Sequence, residues 1–135
     1  MTTIHQEPLF SFVLDPEPGI LRFHWTEKTA NMTDEDFKRA LLLYADFAGK
    51  HSARGLLVDV RNFQHRIAPE TGRWRDEVVA PKYASAGAKK FAYVVGQNFP
   101  MPPGDSTPPA TARPFETRYF HSTAEAEAWL GGSYI

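Results

Sequence analysis

The sequence predicts an α/β sandwich built on a mixed sheet, and three patterns carry that prediction. Strand-period alternation fills residues 9–15 and 20–26. A helix-period apolar stripe fills 33–49, and the aliphatic run "GLLVDV" (55–60) lies between two helical segments. Together they imply an order β-β-α-β-α-β-loop-β-α, with the N-terminal hairpin towards one edge of the sheet. The 135 residues fit one domain with room for a core.

In "LFSFVLD" (9–15), Phe10, Phe12 and Leu14 share one face, the period of a strand buried on one side. "ILRFHWT" (20–26) alternates likewise, with Leu21, Phe23 and Trp25 set against Arg22 and His24. The intervening "PEPG" (16–19) breaks strand and helix alike, so the pair reads as a β-hairpin. Thr33 is an N-cap residue, and the acids Asp34, Glu35 and Asp36 suit the positive end of a helix. Phe37, Ala40, Leu41, Tyr44 and Ala48 then recur at three- and four-residue steps, and Gly49 is expected to end the helix as its C′ residue.

"GLLVDV" is expected to be a central strand covered on both faces. Residues 69–87 look helical, with Pro69 near N1 and Trp74 and Val78 one turn apart, and Pro81 is expected to kink or break that helix. "KFAYVVG" (90–96) and "PFETRYF" (114–120) read as strands. Ser122 or Thr123 caps a terminal helix, with Glu125 three residues after Ser122. Between the last two strands, residues 96–114 hold six prolines. A loop of that length is a lid, a binding loop or a disordered connection.

Composition excludes several function classes. The formal net charge is −1, which provides no field to attract nucleic acid or an anionic membrane. There is no cysteine, hence no disulfide, thiolate nucleophile or Cys-based metal site. No apolar run approaches the ~20 residues of a membrane span. The N-terminal "MTTIHQEPLF" lacks the basic flank and apolar core of a signal peptide, so a cytoplasmic protein is expected.

The order and spacing of five stretches resemble the SpoIIAA-like branch of the STAS domains. They are "ILRFHWTE", "MTDEDFKRALLLYADF", "RGLLVDVRNF", "WRDEVVAPKYASAGAKKFAYVV" and "RYFHSTAEAEAWL". The resemblance implies a STAS-like mixed sheet, distantly similar in fold to the longer CRAL-TRIO lipid-binding domains. It also implies a domain that works by binding a partner protein or a small ligand. Classical anti-sigma-factor antagonists carry a phosphorylated serine after the third strand. Here that region reads "RNFQHRIAPETGRW", and its nearest hydroxyl is Thr71, which argues against a phospho-switch.

Asp59 and Arg61 lead the candidate residues. Side chains alternate along a strand, so Leu57, Asp59 and Arg61 share one side and reach the crevice at the strand's carboxyl end, with His65 and Arg66 on the following loop. They form either an anion- or partner-recognition pocket or an internal ion pair. In the second case Asp59 caps loop amides and Arg61 binds a carboxylate such as Asp76 or Glu77, since a buried charge must be paired in either case. Trp74 either lines a pocket with Phe63 or belongs to the core. Arg73 and Arg75 form a solvated face or join Arg61, Arg66 and His65 in a modest basic patch. On the first helix, Leu42 falls opposite the stripe, near Lys38, and Leu43 sits at the stripe's edge. These three mark a partner or dimer face unless the chain itself covers them. In the proline-rich loop, Phe99, Met101, Ser106 and Thr107 belong either to a lid over an apolar cavity or a docking segment in polyproline II form, or to a mobile connection that replaces a helix.

Histidines 5, 24, 51, 65 and 121 show no metal-ligand spacing, and no P-loop, G-x-S-x-G or G-x-G-x-x-G occurs. No cofactor or metal is indicated. Three functions stay open. One is a non-catalytic binding module with a protein partner or self-association. Another is a carrier of a small apolar molecule or lipid under the 96–114 loop. The third, an enzyme, would gain support from His65 within hydrogen-bond reach of Asp59 in an open cleft.

Overall fold

The computed structural model describes residues 2–16, 19–97 and 115–132. Six strands form one sheet in the order β1-β2-β3-β4-β5-β6. They are β1 (Thr2–Gln6), β2 (Phe10–Asp15), β3 (Ile20–Trp25), β4 (Gly55–Asp59), β5 (Lys90–Val94) and β6 (Glu116–Phe120). The first three pair antiparallel and β3 to β6 pair parallel, so the sheet is mixed, as expected. The hairpin forms: Asp15 faces Ile20 in register, and Gly19 adopts φ +98°, a backbone region that L side chains rarely enter. Strand β1 was not expected. "TTIHQ" lacks the apolar alternation that marks a half-buried strand, because β1 is an edge with two of its five residues half-buried and the rest exposed.

Helix α1 (Asp34–Lys50) begins where its sequence says it should. Thr33 Oγ1 accepts the Asp36 N–H at 3.1 Å and Asp36 Oδ2 accepts the Thr33 N–H at 3.1 Å, a reciprocal capping box. Its end is one turn of chain later than expected. The helix runs through Gly49 to a C-cap at His51, and Ser52, not Gly49, takes the left-handed conformation with φ 51°. Gly49 stays helical, and an added Cβ there would meet Ala86 Cβ at 3.6 Å, an ordinary contact.

The segment after β4 is helical throughout but changes register. Helix α2 (Pro69–Trp74) passes into a π turn (Arg75–Val79) and then into α3 (Ala80–Ser85). Pro81 neither ends nor breaks the segment. A wider turn lies immediately before it, where the missing N–H and the ring would otherwise conflict with an α-helical ladder. The extra residue of that turn also undoes the expected Trp74–Val78 pairing. Val79 is buried and Val78, at 40% exposure, is the one exposed large apolar side chain among the described residues.

Both crossover segments, α1 and α2–α3, lie on one face of the sheet, and α4 (Thr123–Gly132) lies on the other. Leu56 and Val58 of β4 pack towards α1, while Leu57 packs with Ala126 and Leu130 of α4. All five residues of β4 are buried, so the central strand is sheltered on both sides. The Tyr44 hydroxyl donates to the Leu21 carbonyl of β3 at 2.5 Å, which anchors α1 over the sheet centre, and burial pushes its pKa well up. Helix α4 starts at Ser122, whose Oγ accepts the Glu125 N–H at 3.2 Å. It also covers Arg22, which alternation alone had turned outward. Arg22 is buried, bonds Glu127 and lies 3.6 Å from Asp15.

Candidate functional site

A cavity of about 200 Å³ lies at the carboxyl ends of the parallel strands, on the α1 side. The parallel strands form its floor: Trp25 from β3, Val58 from β4, Phe91 and Tyr93 from β5, and Tyr119 from β6. Val58 faces Tyr93 in register and Tyr93 faces Tyr119, whose rings stack at 5.0 Å and 20°. Phe37 and Leu41 of α1 and Tyr83 of α3 form the opposite wall. The stripe that packs α1 on the sheet thus also lines the cavity. Arg75, first residue of the π turn, is the charged side chain in the lining, and its Nε lies 3.3 Å from Asp76 Oδ1.

The remaining side is the loop between β4 and α2, which contributes Val60, Phe63 and Ile67. The Phe63 ring meets Trp25 edge-on at 5.0 Å and Phe37 at 6.0 Å. Polar bonds hold this loop. The Gln64 N–H donates to Thr29 Oγ1 at 2.8 Å, and the fully buried Thr29 hydroxyl donates to the Thr26 carbonyl at 2.8 Å. His65 Nε2 lies 2.6 Å from Asp34 Oδ1, and the Thr71 hydroxyl donates to Asp34 Oδ2 at 2.9 Å. One carboxylate therefore ties the first turn of α1 to the loop and to α2. The bond from His65, and then that from Thr71, hold the Asp34 pKa below its ordinary value.

Asp59 and Arg61 do not join this site. Side chains alternate along β4, so Asp59 points with Leu57 to the α4 face, away from the cavity. Arg61 grips Asp59 through two bonds, Nε to Oδ1 at 3.0 Å and Nη2 to Oδ2 at 2.8 Å. The Arg61 N–H also donates to Oδ1 at 3.1 Å, and His24 Nδ1 lies 3.4 Å from Oδ2. The capping of a loop amide thus forms as expected, but Arg61 binds Asp59 itself and not Asp76 or Glu77. Burial alone would raise the Asp59 pKa. The bonds from His24 and Arg61 outweigh it and hold the carboxyl well below the usual carboxylate range.

The expected constellation is thus divided by the sheet. Phe63 lines the cavity, and His65 sits beside it but bonds Asp34, not Asp59. Arg66 is exposed. Trp74 is half-buried against the α1-side core, with the Lys38 ammonium 5.3 Å from its ring centroid, and is not part of the lining. Arg75 is half-buried, while Arg61 is turned to the other face, so no basic patch assembles from the two. Thr71 is buried as well as bonded. Leu42 is not stranded among charges. It and Leu43 are half-buried against the core, because α1 is flanked on the Lys38 side by α2–α3 and on the Phe47 side by β1 and β2. The proline-rich loop with Phe99, Met101, Ser106 and Thr107 falls, from residue 98 on, outside the described residues.

Several cavity residues escaped sequence reading. Tyr93 and Tyr119 read only as strand positions in the sequence, and Trp25 and Val58 as core. Their one shared signal was position near a strand's carboxyl end, which is visible only once strand ends and register are known. Among the described residues, no group of three or more His, Asp or Glu side chains is arranged to hold a metal ion. No helix there is long and apolar enough to cross a membrane.

A family model described as SpoIIAA-like matches residues 20–131, from the start of β3 into α4. No curated protein and no solved structure gives a significant match.

Proposed function

The chain belongs to the SpoIIAA-like family, and from that premise we propose that it is a non-catalytic binding module that carries a small apolar molecule in the cavity between α1, α3 and the sheet. The observation that carries this reading is the cavity itself, about 200 Å³ and lined mainly by apolar and aromatic side chains of the main core. Interiors rarely leave such space without use, and apolar hollows with a few polar groups are the usual form of ligand sites. In this reading Phe63 contacts the ligand, while His65 holds the loop that carries Phe63. Asp59 and Arg61 fix the chain's exit from β4 on the opposite face and do not meet the ligand. The separation of His65 from Asp59 speaks against acid–base chemistry of that pair. Native mass spectrometry of the intact purified protein tests the proposal. A co-purified mass, lost on denaturation, is expected. A bare protein mass that also stays bare after incubation with apolar probes would refute it.

A second reading, a protein partner or self-association, is favoured by Val78. That side chain is exposed at the edge of an open groove between α1 and α3, lined also by Ala45, Gly49 and Pro81. Lys38 and Leu42 would extend that face along the same flank of α1, while Leu43 lies one turn from Phe47 on the flank towards β1 and β2 and would not. Light scattering across a concentration series should then show association that Val78→Glu abolishes. A monomer at every concentration would count against it.

A further inference from the structure

The size and walls of the cavity narrow the ligand class, a step that rests on the reading of the cavity as a binding site. At about 200 Å³ it is smaller than the roughly 300–1,000 Å³ of sites for drug-sized ligands. It is larger than the ~150 Å³ apolar cavity that takes up a single benzene. One substituted ring or two fused rings therefore match the space, and a two-chain lipid does not.

More than half of the lining side chains are aromatic, Trp25, Phe37, Phe63, Tyr83, Tyr93 and Tyr119 among them. They already meet one another in edge-on and stacked geometries, as Trp25 does with Phe63 and Tyr93 with Tyr119. A guest ring extends that arrangement, and each ring pair adds roughly two- to tenfold in affinity beyond the area it buries. A flexible chain of equal apolar area gains none of this and loses rotamer freedom on entering. Register fixes the floor, because Val58, Tyr93 and Tyr119 are consecutive cross-strand partners and cannot part without breaking the parallel ladder. Charge selects as well. Arg75, the charged side chain of the lining, already has Asp76 Oδ1 3.3 Å from its Nε, so its guanidinium does not need an anionic guest for a partner.

We infer that the cavity selects a small, neutral, planar aromatic molecule of one or two rings over an aliphatic chain. Indole and decanol serve as probes in heteronuclear NMR titrations of the full chain. Indole should shift the Val58, Tyr93 and Val95 amides saturably, and decanol should bind at least about tenfold more weakly. The variant Tyr119→Ala, on the edge strand β6, should weaken indole several-fold and leave decanol unchanged. Decanol binding as tightly as indole, or losing equally in the variant, would overturn the aromatic preference while the binding site stands. If neither probe shifts these amides, the binding-site reading fails and this inference with it.

Discussion

His65 and Asp34 stand 31 residues apart in sequence, yet the imidazole Nε2 lies 2.6 Å from the carboxylate Oδ1. The bond joins the loop after the central strand to the first turn of α1, and the same loop carries Phe63 and Ile67 over the cavity. The Asp34 carboxylate therefore shares the ordering of this loop with the buried Thr29 hydroxyl, which accepts the Gln64 N–H.

Asp34→Ala should loosen the loop without unfolding the domain. Hydrogen exchange of the amides at 62–67, Gln64 in particular, should quicken, and any cavity ligand should dissociate faster. The pH dependence has a definite sign. The Asp34 pKa is lowered in the folded protein, so its contribution is complete above the unfolded value of about 3.9 and is lost as pH falls through the folded value. Extra loop exchange in acid should thus appear in the native chain and be absent from Asp34→Ala. Unchanged exchange in the variant at neutral pH would show that the Thr29 bonds alone suffice.

Asp59→Asn should destabilise the fold by about 1–3 kcal/mol, the range for charge-assisted bonds to a mostly buried carboxylate. Burial acts to raise the Asp59 pKa, and the bonds from His24 and Arg61 pull it far lower. Its stabilisation is present above the unfolded value of about 3.9 and disappears as pH drops towards the folded value. Chemical denaturation from pH 6 down to about pH 2 should therefore show a shallower acid decline in the variant. Parallel declines would mean that other carboxylates control acid unfolding.

The fold was largely legible because its signals are local. The Thr33 cap, the Phe37–Leu41–Tyr44 stripe and the aliphatic β4 each declare themselves within a few residues, and the order of elements then fixes the topology. Site geometry was less legible because it depends on parity and register. Asp59 and Phe63 lie four residues apart, but the strand ends between them, so alternation no longer says which face the later residue takes. The π turn hid in the same way: nothing in "RWRDEVVAP" reveals that Val79 and not Val78 is inward until the extra residue is seen. Edge strand β1 stayed invisible because an edge needs no apolar alternation to pair.

Gly55 sits where α4 meets the sheet. An added Cβ would lie 3.3 Å from Leu130 Cδ2 and 3.4 Å from Ile20 Cγ1, tight contacts with movable side chains. Gly55→Ala should therefore cost about 1 kcal/mol, at the mild end of overpacking. Leu130→Ala alone should cost about 2–5 kcal/mol as a buried truncation. The double variant should be less destabilised than the sum by about 0.5–1 kcal/mol, because the truncation removes the crowding. Strict additivity in urea denaturation would place the glycine's role in the backbone and not in the approach of α4.

Arg22 presents the clearest energetic choice in the fold. Its guanidinium is about nine-tenths buried between β3 and α4, bonded to Glu127, with Asp15 3.6 Å away. Glu127→Ala leaves that cation with the more distant Asp15 alone. Stranding a buried charge costs about 3–5 kcal/mol, and the loss should fall towards the lower figure because Asp15 remains. Arg22→Met removes the cation and leaves two carboxylates that are each partly exposed, so its cost should be smaller, about 1–2 kcal/mol. Replacing both, Arg22→Met with Glu127→Leu, exchanges an ion pair for apolar contact beside Leu57 and should come within about 1 kcal/mol of the native chain. Thermal or urea unfolding of the three variants gives the cycle. A double variant as unstable as Glu127→Ala would show that the pair does more than neutralise itself, and that it sets the position of α4 on the sheet.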